Sequence, residues 1–424
     1  MNEKLFSYIA ACPSPYHTVA HTAAILADAG YTPLSEGDDW TLEAGKGYYV
    51  TRGGSSILAF RVPAADFRGF TMAAAHTDSP TFKIKENAEL GGSYVRLATE
   101  KYGGMLCASW MDRPLSVAGR VTVRTPDGIA VRLVDLGEPC AIIPNVAIHM
   151  NRRANDGMTY DAATDMIPLW GGEAGSFRRQ VAASLGLDEG DILTTDLAVY
   201  NPQPGTVWGS YISAPRLDDL QCAFAALEAF LAAPPSDCTP VLCLFDNEEV
   251  GSQTKQGAAS TFLCDTLGRI NLAFGGDAAR YCRRVANSFL VSCDNAHAVH
   301  PNHPEYADKN HTVRMGGGVV IKYNASQRYT SDAVSAGLFR LLCERAGVPV
   351  QMYANRADMP GGSTLGNIAN TQVSLNTVDV GIAQLAMHSA LETAGADDTA
   401  AMVGALTALF AASPAMCADG SFRI

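Results

Sequence analysis

The sequence predicts an α/β fold with a mixed sheet and an inserted β-rich domain. Four apolar runs, each ending at a polar or charged cluster, are typical of strands that helices cover on both faces. From about residue 86 to residue 211 the chain instead has short β-like runs separated by turn residues. We therefore expect a larger, discontinuous domain formed by residues 1–85 and 212–424, and an inserted domain formed by residues 86–211.

Length and composition support this division and exclude several classes of protein. A chain of 424 residues is longer than one compact core usually serves. Hydrophobic residues at 47% and charged residues at 17% fit a globular protein and not a disordered chain. The net charge of -12 and the lack of a Lys/Arg run argue against nucleic acid as a partner. The 11 cysteines are scattered without a C-x-x-C pair, which indicates reduced thiols.

The first 30 residues are predicted to form a helix with a structural role and to contain no targeting segment. A capped amphipathic helix follows Pro13-Ser14-Pro15, and Gly30 is its expected stop. Residues 1–12 are too short and too poorly flanked for a secretory signal. No apolar run approaches the roughly 18 residues that span a bilayer. We expect a cytoplasmic protein without a membrane partner.

One hairpin is predicted within the insert. Residues 120–124 and 129–134 are β-like runs on either side of a Pro-Asp-Gly turn. Turns of this composition commonly join antiparallel strands. The insert is therefore predicted to contain antiparallel strands.

The four apolar runs of the larger domain all lead into polar residues. In open α/β sheets, ligands bind beyond the carboxyl ends of the strands, so side chains placed there repeatedly can converge on one site. The runs are residues 70–75, followed by His76-Thr77-Asp78; 241–245, followed by Asp246-Asn247-Glu248-Glu249; 289–293, followed by Asp294; and 318–321, followed by Lys322.

Glu248 and Glu249 are adjacent carboxylates directly after one of these runs. Such a position costs free energy unless a cation or a proton accompanies the charges. Because neighbouring side chains point in different directions, one glutamate could bind a metal while the other takes a proton from water. For an isolated pair of this kind, a solvated acidic turn is the alternative.

Asp218 and Asp219 open an apolar-periodic helix. For Asp219 we expect the ordinary role of an N-cap whose charge favours the helix dipole. Asp218 has either the same role or that of a carboxylate shared by two metals. A single bridging aspartate can hold such ions roughly 3.5–4 Å apart.

Two histidines are candidate imidazole ligands. Asp78 follows His76 closely enough for its carboxylate to fix the tautomer of a metal-bound ring. His388 lies in an apolar, helix-like stretch near the C-terminus. A lone histidine in such a stretch is more often a satisfied core residue than a ligand.

A second group of histidines is spaced by three residues, at His297, His300 and His303. Pro301 and Pro304 interrupt any helix there, so this spacing does not place the three on one face. Asp294, directly after an apolar run, is the better candidate ligand. We expect His297 and His300 to form hydrogen bonds with nearby backbone or with Asp294.

These residues belong to an ordered series of motifs that resembles the aspartyl aminopeptidase family of dinuclear zinc exopeptidases. The resemblance extends over nearly the whole chain. The departures are small, with Asp219 where Asn is common, Asn295 within the Asp-x-Ala-His segment, and Asn367 where Pro is frequent. The motifs are Ser14-Pro15-Tyr16-His17, His76-Thr77-Asp78-Ser79-Pro80, Pro215-Arg216-Leu217-Asp218, Asp246-Asn247-Glu248-Glu249-Val250-Gly251-Ser252, Ala296-His297-Ala298-Val299-His300-Pro301-Asn302, Gly362-Ser363-Thr364-Leu365-Gly366 and Gln384-Leu385-Ala386-Met387-His388-Ser389.

The resemblance implies that the larger domain is a metallopeptidase domain with two divalent metal ions per subunit. Mixed histidine and carboxylate ligation suits Zn²⁺, and such sites also accept Mn²⁺ or Co²⁺. Glu248 would be the general base, and Asp78 would orient His76. The implied ligands are His76 and Asp294 for one metal, Glu249 and His388 for the other, and Asp218 between them.

The resemblance also implies the reaction, the substrate and the assembly. The reaction would remove single residues, preferably Asp or Glu, from the free N-terminus of short peptides. Lys322 matches the position that pairs with an acidic first side chain; a surface lysine is the alternative. Family members form tetrahedral dodecamers, so a homododecamer is implied, with the insert supplying contact surface. Ile148-His149-Met150 matches a segment whose histidine reaches a neighbour's active site.

Two other functions stay open at this point. The same chemistry could act on neutral N-terminal residues, but Lys322 favours acidic ones. The chain could also be a structural shell or binding protein that has lost catalysis. The presence of every implied ligand and of the base disfavours that alternative.

Overall fold

The computed structural model describes all 424 residues and contains a 13-stranded mixed sheet and a seven-stranded antiparallel sheet. This architecture confirms the predicted α/β fold with a mixed sheet. The helices are α1 (Asn2–Ala11), α2 (Pro15–Asp28), α3 (Phe177–Ser184), α4 (Leu217–Ala232), α5 (Phe262–Ala273), α6 (Ala278–Ala286), α7 (Ala333–Arg345), α8 (Leu365–Ala369) and α9 (Asp398–Ala411).

The strands fall into three groups. The larger sheet contains β1 (Thr32–Leu34), β2 (Gly47–Arg52), β3 (Ser56–Arg61), β4 (Phe70–His76), β12 (Thr206–Trp208), β13 (Tyr211–Ala214), β14 (Thr239–Phe245), β15 (Phe289–Cys293), β16 (Ala296–His297), β17 (Val319–Tyr323), β18 (Val350–Ala354), β19 (Asn376–Leu385) and β20 (Glu392–Gly395). The smaller sheet contains β5 (Thr81–Leu90), β6 (Arg96–Tyr102), β7 (Ser116–Thr125), β8 (Gly128–Asp135), β9 (Ala141–Ile142), β10 (Leu169–Trp170) and β11 (Ile192–Tyr200). A short hairpin joins β21 (Ala415–Met416) and β22 (Phe422–Arg423).

The centre of the larger sheet is parallel and buried on both faces. Its strands run in the order β1-β2-β3-β14-β4-β15-β19-β20-β13-β12, with β16 and β17 also paired to β19 and β18 paired to β17. β14, β4, β15 and β19 are parallel neighbours. Their carboxyl ends therefore lie along the same edge of the sheet.

Alternating residues of β4 divide between two cores, as expected for a strand covered on both faces. Ala73 and Ala75 belong to the core that contains residues of α1, α2, α4, α7 and α9, whereas Met72 and Ala74 belong to the core that contains residues of α5 and α8. The smaller sheet has its own core. The strands of the smaller sheet lie between Thr81 and Tyr200 in the chain. The predicted domain boundaries at residues 86 and 211 stay a prediction.

The four apolar runs form β4, β14, β15 and β17, as the sequence predicts. The expected hairpin is also present, because β7 and β8 pair antiparallel across the Pro-Asp-Gly turn. At the N-terminus Ser14 caps α2, and α1 precedes it as an additional helix. None of the helices combines the length and the apolarity that a membrane crossing requires.

The helix-like interpretation of the segment around His388 is wrong. The residues before it form β19, and His388 lies in the following loop with φ of 67°. The apolar run of β19 is buried on both faces, so its sequence lacks the alternation that would distinguish a strand from a buried helix. The consequence is that His388 projects from a loop and not from a helix face.

Gly381 in β19 packs against the main chain at Asp294, and we predict that Gly381→Ala destabilises the protein. A Cβ atom at this position would lie 2.1 Å from the Asp294 carbonyl oxygen. Overpacking of this kind costs about 1–3 kcal/mol in the free energy of unfolding. The measurement is urea denaturation of the two proteins.

Gly268→Ala is the matched control, because the Cβ would enter open space within α5. Alanine is a better helix former by about 1 kcal/mol, so this variant should be as stable as the wild type or more so. Equal stability of the two variants would contradict the close packing of β19 against Asp294.

Candidate metal centre

The structure brings all five candidate ligands together at the carboxyl edge of the larger sheet. His76 ends β4, and Asp294 directly follows β15. Glu249 lies in a single 3₁₀ turn after β14. Asp218 is at the start of α4, and His388 follows β19. The site is thus built from segments that are distant in sequence but share one edge.

Asp218 lies between two groups of potential ligands. Its Oδ1 is 3.2 Å from Nε2 of His76, and its Oδ2 is 3.3 Å from Nε2 of His388. The same nitrogen of His388 is 3.3 Å from Oε2 of Glu249. On the other side, Nε2 of His76 is 4.0 Å from Oδ1 of Asp294. One carboxylate therefore faces an imidazole and a second carboxylate on each side.

These side chains fit metal ions. Ligand atoms of His76, Asp218, Asp219 and Asp294 lie within 4.8 Å of one another, as do those of Asp218, Glu249 and His388. Oδ1 of Asp218 and Oε1 of Glu249 are buried without a hydrogen-bond partner. A buried carboxylate oxygen without a donor is costly, and cations would supply the missing partners.

The electrostatics of the cluster also favour a cation. Burial, together with neighbouring acids, raises the pKa of Glu249 and of Asp294. Burial raises the pKa of Glu248 to about 8, with Asp294, Asp78 and Asp218 adding to the shift. Burial opposes ionisation of Asp218 as well, but the neighbouring imidazoles of His388 and His76 hold its pKa below the usual range. The cluster therefore concentrates negative charge that a cation would compensate.

Asp78 connects His76 to the Glu248–Glu249 turn. Its Oδ1 is 3.3 Å from Nδ1 of His76, the contact that the sequence spacing predicts, and the same nitrogen forms a hydrogen bond with the Asp78 backbone carbonyl oxygen at 3.0 Å. The backbone N–H groups of Glu248 and Glu249 also donate to its two oxygens, each at 3.2 Å. The hydroxyl of Tyr102 donates to Oδ2 at 2.6 Å. One buried carboxylate thus orients a ligand and fixes the adjacent acidic turn.

Asp219 is not the N-cap that the sequence suggests. The helix has no side-chain cap, and the backbone is non-helical at both Asp218 and Asp219. Asp219 is fully buried, and its Oδ2 accepts a hydrogen bond from the backbone N–H of His76 at 3.1 Å. Burial raises its pKa. Tertiary contact with β4 therefore takes the place of the local capping interaction.

Lys322 is buried beside the acids and is not a surface lysine. Its ammonium donates to the carbonyl oxygens of Asp294 and Asn295 at 2.8 Å and 3.2 Å, and it lies 3.4 Å from Oδ2 of Asp294. Burial opposes its charge, but Asp294 outweighs that effect and raises its pKa. The side chain therefore presents a fixed positive charge at the edge of the centre.

A cavity of about 160 Å³ lies in front of the centre. Glu248 and Lys322 line it, together with His297, Tyr329 and Tyr353. Tyr329 and Tyr353 were not identified from the sequence, because they carry no metal-ligand spacing, and His297 was expected to form hydrogen bonds with backbone or with Asp294. Tyr329 lies under the Lys322 ammonium, with 5.2 Å between the nitrogen and the ring centroid.

The expectation for the spaced histidines is partly right. Nδ1 of His300 accepts a hydrogen bond from the backbone N–H of Asn302 at 3.2 Å. His297 instead makes no side-chain hydrogen bond and faces the cavity, with its ring centroid 6.1 Å from that of Tyr353. Burial against the cavity wall and the charge of Lys322 lower the pKa of His297.

His149 is the one candidate that the structure does not bring to the centre. It lies in an exposed turn that follows β9, and it does not line the cavity. Its neighbours Val146, Ile148 and Met150 are also exposed, with Met150 at 83%. Within a single chain, His149 therefore has no contact with the other site residues.

A buried group of imidazole and carboxylate ligands at a sheet edge is characteristic of zinc hydrolases. In agreement, a family model described as Aminopeptidase I zinc metalloprotease (M18) matches residues 8–410. The chain therefore belongs to the M18 aminopeptidase family of zinc metalloproteases. This membership confirms the family relationship that the motifs indicated.

Relatives match over almost their whole length. The probable M18 family aminopeptidase 2 of Clostridium novyi is 42% identical over 410 residues, which cover 93% of this chain and 95% of the relative. The probable M18 family aminopeptidase 2 of Pseudomonas aeruginosa strain UCBPP-PA14 is 42% identical over 427 residues, 97% of this chain and 98% of the relative.

Solved structures share the fold. A chain of the cryo-EM structure of the Ape4 and Nbr1 complex matches with a TM-score of 0.93 at 32% identity, over 96% of this chain and 85% of that chain. The S. cerevisiae mApe1 dodecamer matches with a TM-score of 0.85 at 28% identity, over 96% of this chain and 95% of that chain.

Proposed function

We propose that this aminopeptidase uses two metal ions and preferentially removes Asp or Glu from the N-terminus of peptides. The observation that carries the proposal is the position of Asp218, whose two oxygens face separate histidines at 3.2 Å and 3.3 Å. A carboxylate shared in this way is the usual bridge of a two-metal hydrolytic site.

In this proposal His76 and Asp294 hold one ion, Glu249 and His388 hold the other, and Asp218 bridges them. The mixture of imidazole and carboxylate ligands suits Zn²⁺, with Mn²⁺ and Co²⁺ as further candidates. When bound, the ions supply Lewis acidity, which polarises the scissile carbonyl and lowers the pKa of a water molecule.

Glu248 is the proposed general base. It lines the cavity, its backbone N–H donates to Asp78 at 3.2 Å, and its carboxylate lies within 4.8 Å of ligand atoms of His76 and Glu249. It would take a proton from the attacking water and deliver that proton to the leaving amine. Asp78 would keep His76 in the tautomer that presents Nε2 to the metal.

The acidic preference rests on Lys322. Its ammonium is buried at 2% exposure and lies against the cavity, where the first side chain of a peptide would bind. A desolvated cation of this kind outweighs the repulsion expected from the net charge of -12, because salt screens that field within about 8–10 Å. The alternative is a preference for neutral first residues, with Lys322 serving only to neutralise Asp294.

A homododecamer in which His149 completes a neighbouring site is part of the proposal. S. cerevisiae mApe1, a structural relative, is a dodecamer. The exposed apolar side chains of Val146, Ile148 and Met150 around His149 would be buried by contact with another subunit. A cytoplasmic location stays a prediction from the sequence.

The proposed base and ligands are separated by comparing Glu248→Gln with Glu249→Gln. Wild-type protein should bind two ions per subunit and release N-terminal Asp from a dipeptide. We expect Glu248→Gln to retain both ions and to lose about 10²–10⁴ in rate, the usual cost of removing a general base. Glu249→Gln, and likewise His388→Ala, should instead lose metal.

Metal content by elemental analysis and hydrolysis rates are the measurements for this comparison. Equal metal loss in all three variants would show that the roles of the two glutamates are exchanged or misassigned. One ion per active wild-type subunit would contradict the two-metal proposal itself.

The role of Lys322 is tested by the ratio of kcat/KM on Asp and Leu substrates. Lys322→Leu should lower this ratio, because an acidic side chain would then bind without its partner. Leaving a buried charge unpaired costs about 2–5 kcal/mol, or at least about 30-fold. A ratio is used because Lys322 also contacts Asp294, so both rates could fall with metal affinity. An unchanged ratio would rule out Lys322 as the residue that recognises an acidic side chain.

The trans role of His149 is tested by complementation between two weakly active variants. Subunits carrying His149→Phe and subunits carrying Glu248→Gln are dissociated, mixed and reassembled. A site with intact Glu248 can then receive His149 from its neighbour, which would stabilise charge on the carbonyl oxygen in the transition state. Mixed oligomers should regain part of the wild-type rate.

Reassembly is verified by the mass of the mixed oligomer. Each variant dissociated and reassembled alone is the control. Reassembled mixtures without recovered activity would mean that His149 acts within its own subunit or has no catalytic role.

A further inference from the structure

Glu392 is a buried carboxylate directly behind the proposed metal centre. It begins β20 and is 2% exposed. Its Oε2 accepts a hydrogen bond from the backbone N–H of Asp218 at 2.9 Å, and its Oε1 accepts one from the backbone N–H of His388 at 2.7 Å. One side chain thus contacts the main chain of two proposed ligands.

The sheet explains why Glu392 reaches both segments. β20 pairs with β13 on one side, where Glu392 is the partner of Ala214, four residues before Asp218. On its other side β20 pairs with β19, and the loop carrying His388 connects these two strands. Glu392 therefore lies at the point where the two ligand-bearing segments leave the sheet.

The loop conformation at His388 needs external support. His388 and Ala386 have φ of 67° and 57°, the left-handed region that non-glycine residues rarely adopt. Residues in such conformations persist only when the surrounding structure fixes them. The hydrogen bond from His388 N–H to Glu392 and the bond from Leu106 N–H to the His388 carbonyl at 3.0 Å hold this turn from both sides.

A buried hydrogen-bond network extends from Glu392 to the segment that carries Asp294. Nε2 of Gln384 donates to Oε1 of Glu392 at 3.5 Å, and Oε1 of Gln384 accepts from Nδ2 of Asn295 at 2.8 Å. Asn295 also donates to Gln221 at 3.2 Å. These side chains are all buried, so the network has no water to replace a lost partner.

We propose that Glu392 is a positioning residue for the ion held by Asp218, Glu249 and His388, because it fixes the backbone of Asp218 and His388 together. The inference rests on the proposed two-metal function and goes beyond it, because Glu392 would not touch the metals or the substrate. Glu392 accepts hydrogen bonds from the backbone of two of the three proposed ligands of the ion held by Asp218, Glu249 and His388. Of the ligands of the ion held by His76, Asp218 and Asp294, only Asp218 has such a hydrogen bond with Glu392.

The test is metal binding by Glu392→Gln. Glutamine has nearly the same shape, but its amide can accept through one oxygen only, so one of the two backbone N–H groups would face an NH₂ group. We expect affinity for the ion held by Asp218, Glu249 and His388 to fall about 10–100-fold, the usual effect of losing such a supporting contact. The other ion should stay close to its wild-type affinity.

Titration of metal-stripped protein with Zn²⁺ measures both affinities, and the visible spectrum of the Co²⁺ form reports the geometry at His388. Asp379→Asn is the matched control. Asp379 is also a fully buried carboxylate, on β19, but it accepts hydrogen bonds from Thr330 and Thr364 and contacts no proposed ligand. It should keep the wild-type affinity for both ions.

Wild-type affinity for both ions in Glu392→Gln would overturn the inference. Equal weakening in Glu392→Gln and Asp379→Asn would also overturn it, because a general loss of stability would then explain the result. If Glu392→Gln does not fold, Glu392→Asp takes its place, since the shorter side chain keeps the charge but cannot reach both N–H groups. A wild-type protein that binds only one ion would contradict the proposed function instead.

Discussion

The concentration of buried acids at one edge of the sheet is the constraint on which the rest of the structure depends. Asp78, Asp218 and Asp219 are almost completely buried, and Glu249 and Asp294 lie beside them. Ionised carboxylates in such surroundings are strongly unfavourable unless cations or donors accompany them. The hydrophobic cores on both sheet faces hold the acids in place, and a cation is what would make their proximity favourable.

Two buried carboxylates form contacts with the proposed ligands. Asp78 binds the ring of His76 and the backbone of the Glu248–Glu249 turn. Glu392 binds the backbone of Asp218 and His388. Backbone N–H groups are strong donors whose positions follow from the sheet, so these bonds transmit the rigidity of the strands to loops that otherwise lack regular structure.

Lys322 belongs both to the cavity wall and to the surroundings of the proposed metal ligand Asp294. Lys322 lines the cavity, but its ammonium also bonds to the main chain at Asp294 and Asn295. A positive charge in this position lowers the cost of burying Asp294 and remains available to an anionic side chain. In the proposed function the same residue would therefore influence both metal affinity and substrate preference.

The sequence by itself determined the strands and the chemical types at their ends. Apolar runs and turn residues act over a few neighbouring positions, so β4, β14, β15 and β17 and the hairpin of β7 and β8 could be predicted from them. The short spacing of His76 and Asp78 likewise predicted their contact. Only the tertiary structure decided that Asp219 bonds to β4, that His388 projects from a left-handed loop, and that His297 faces the cavity. Glu392 lies 174 residues from Asp218 in the chain, and their hydrogen bond exists because β20 pairs with β13. Strand order between distant segments leaves no local pattern in the sequence, which is why contacts of this kind could not be predicted from it.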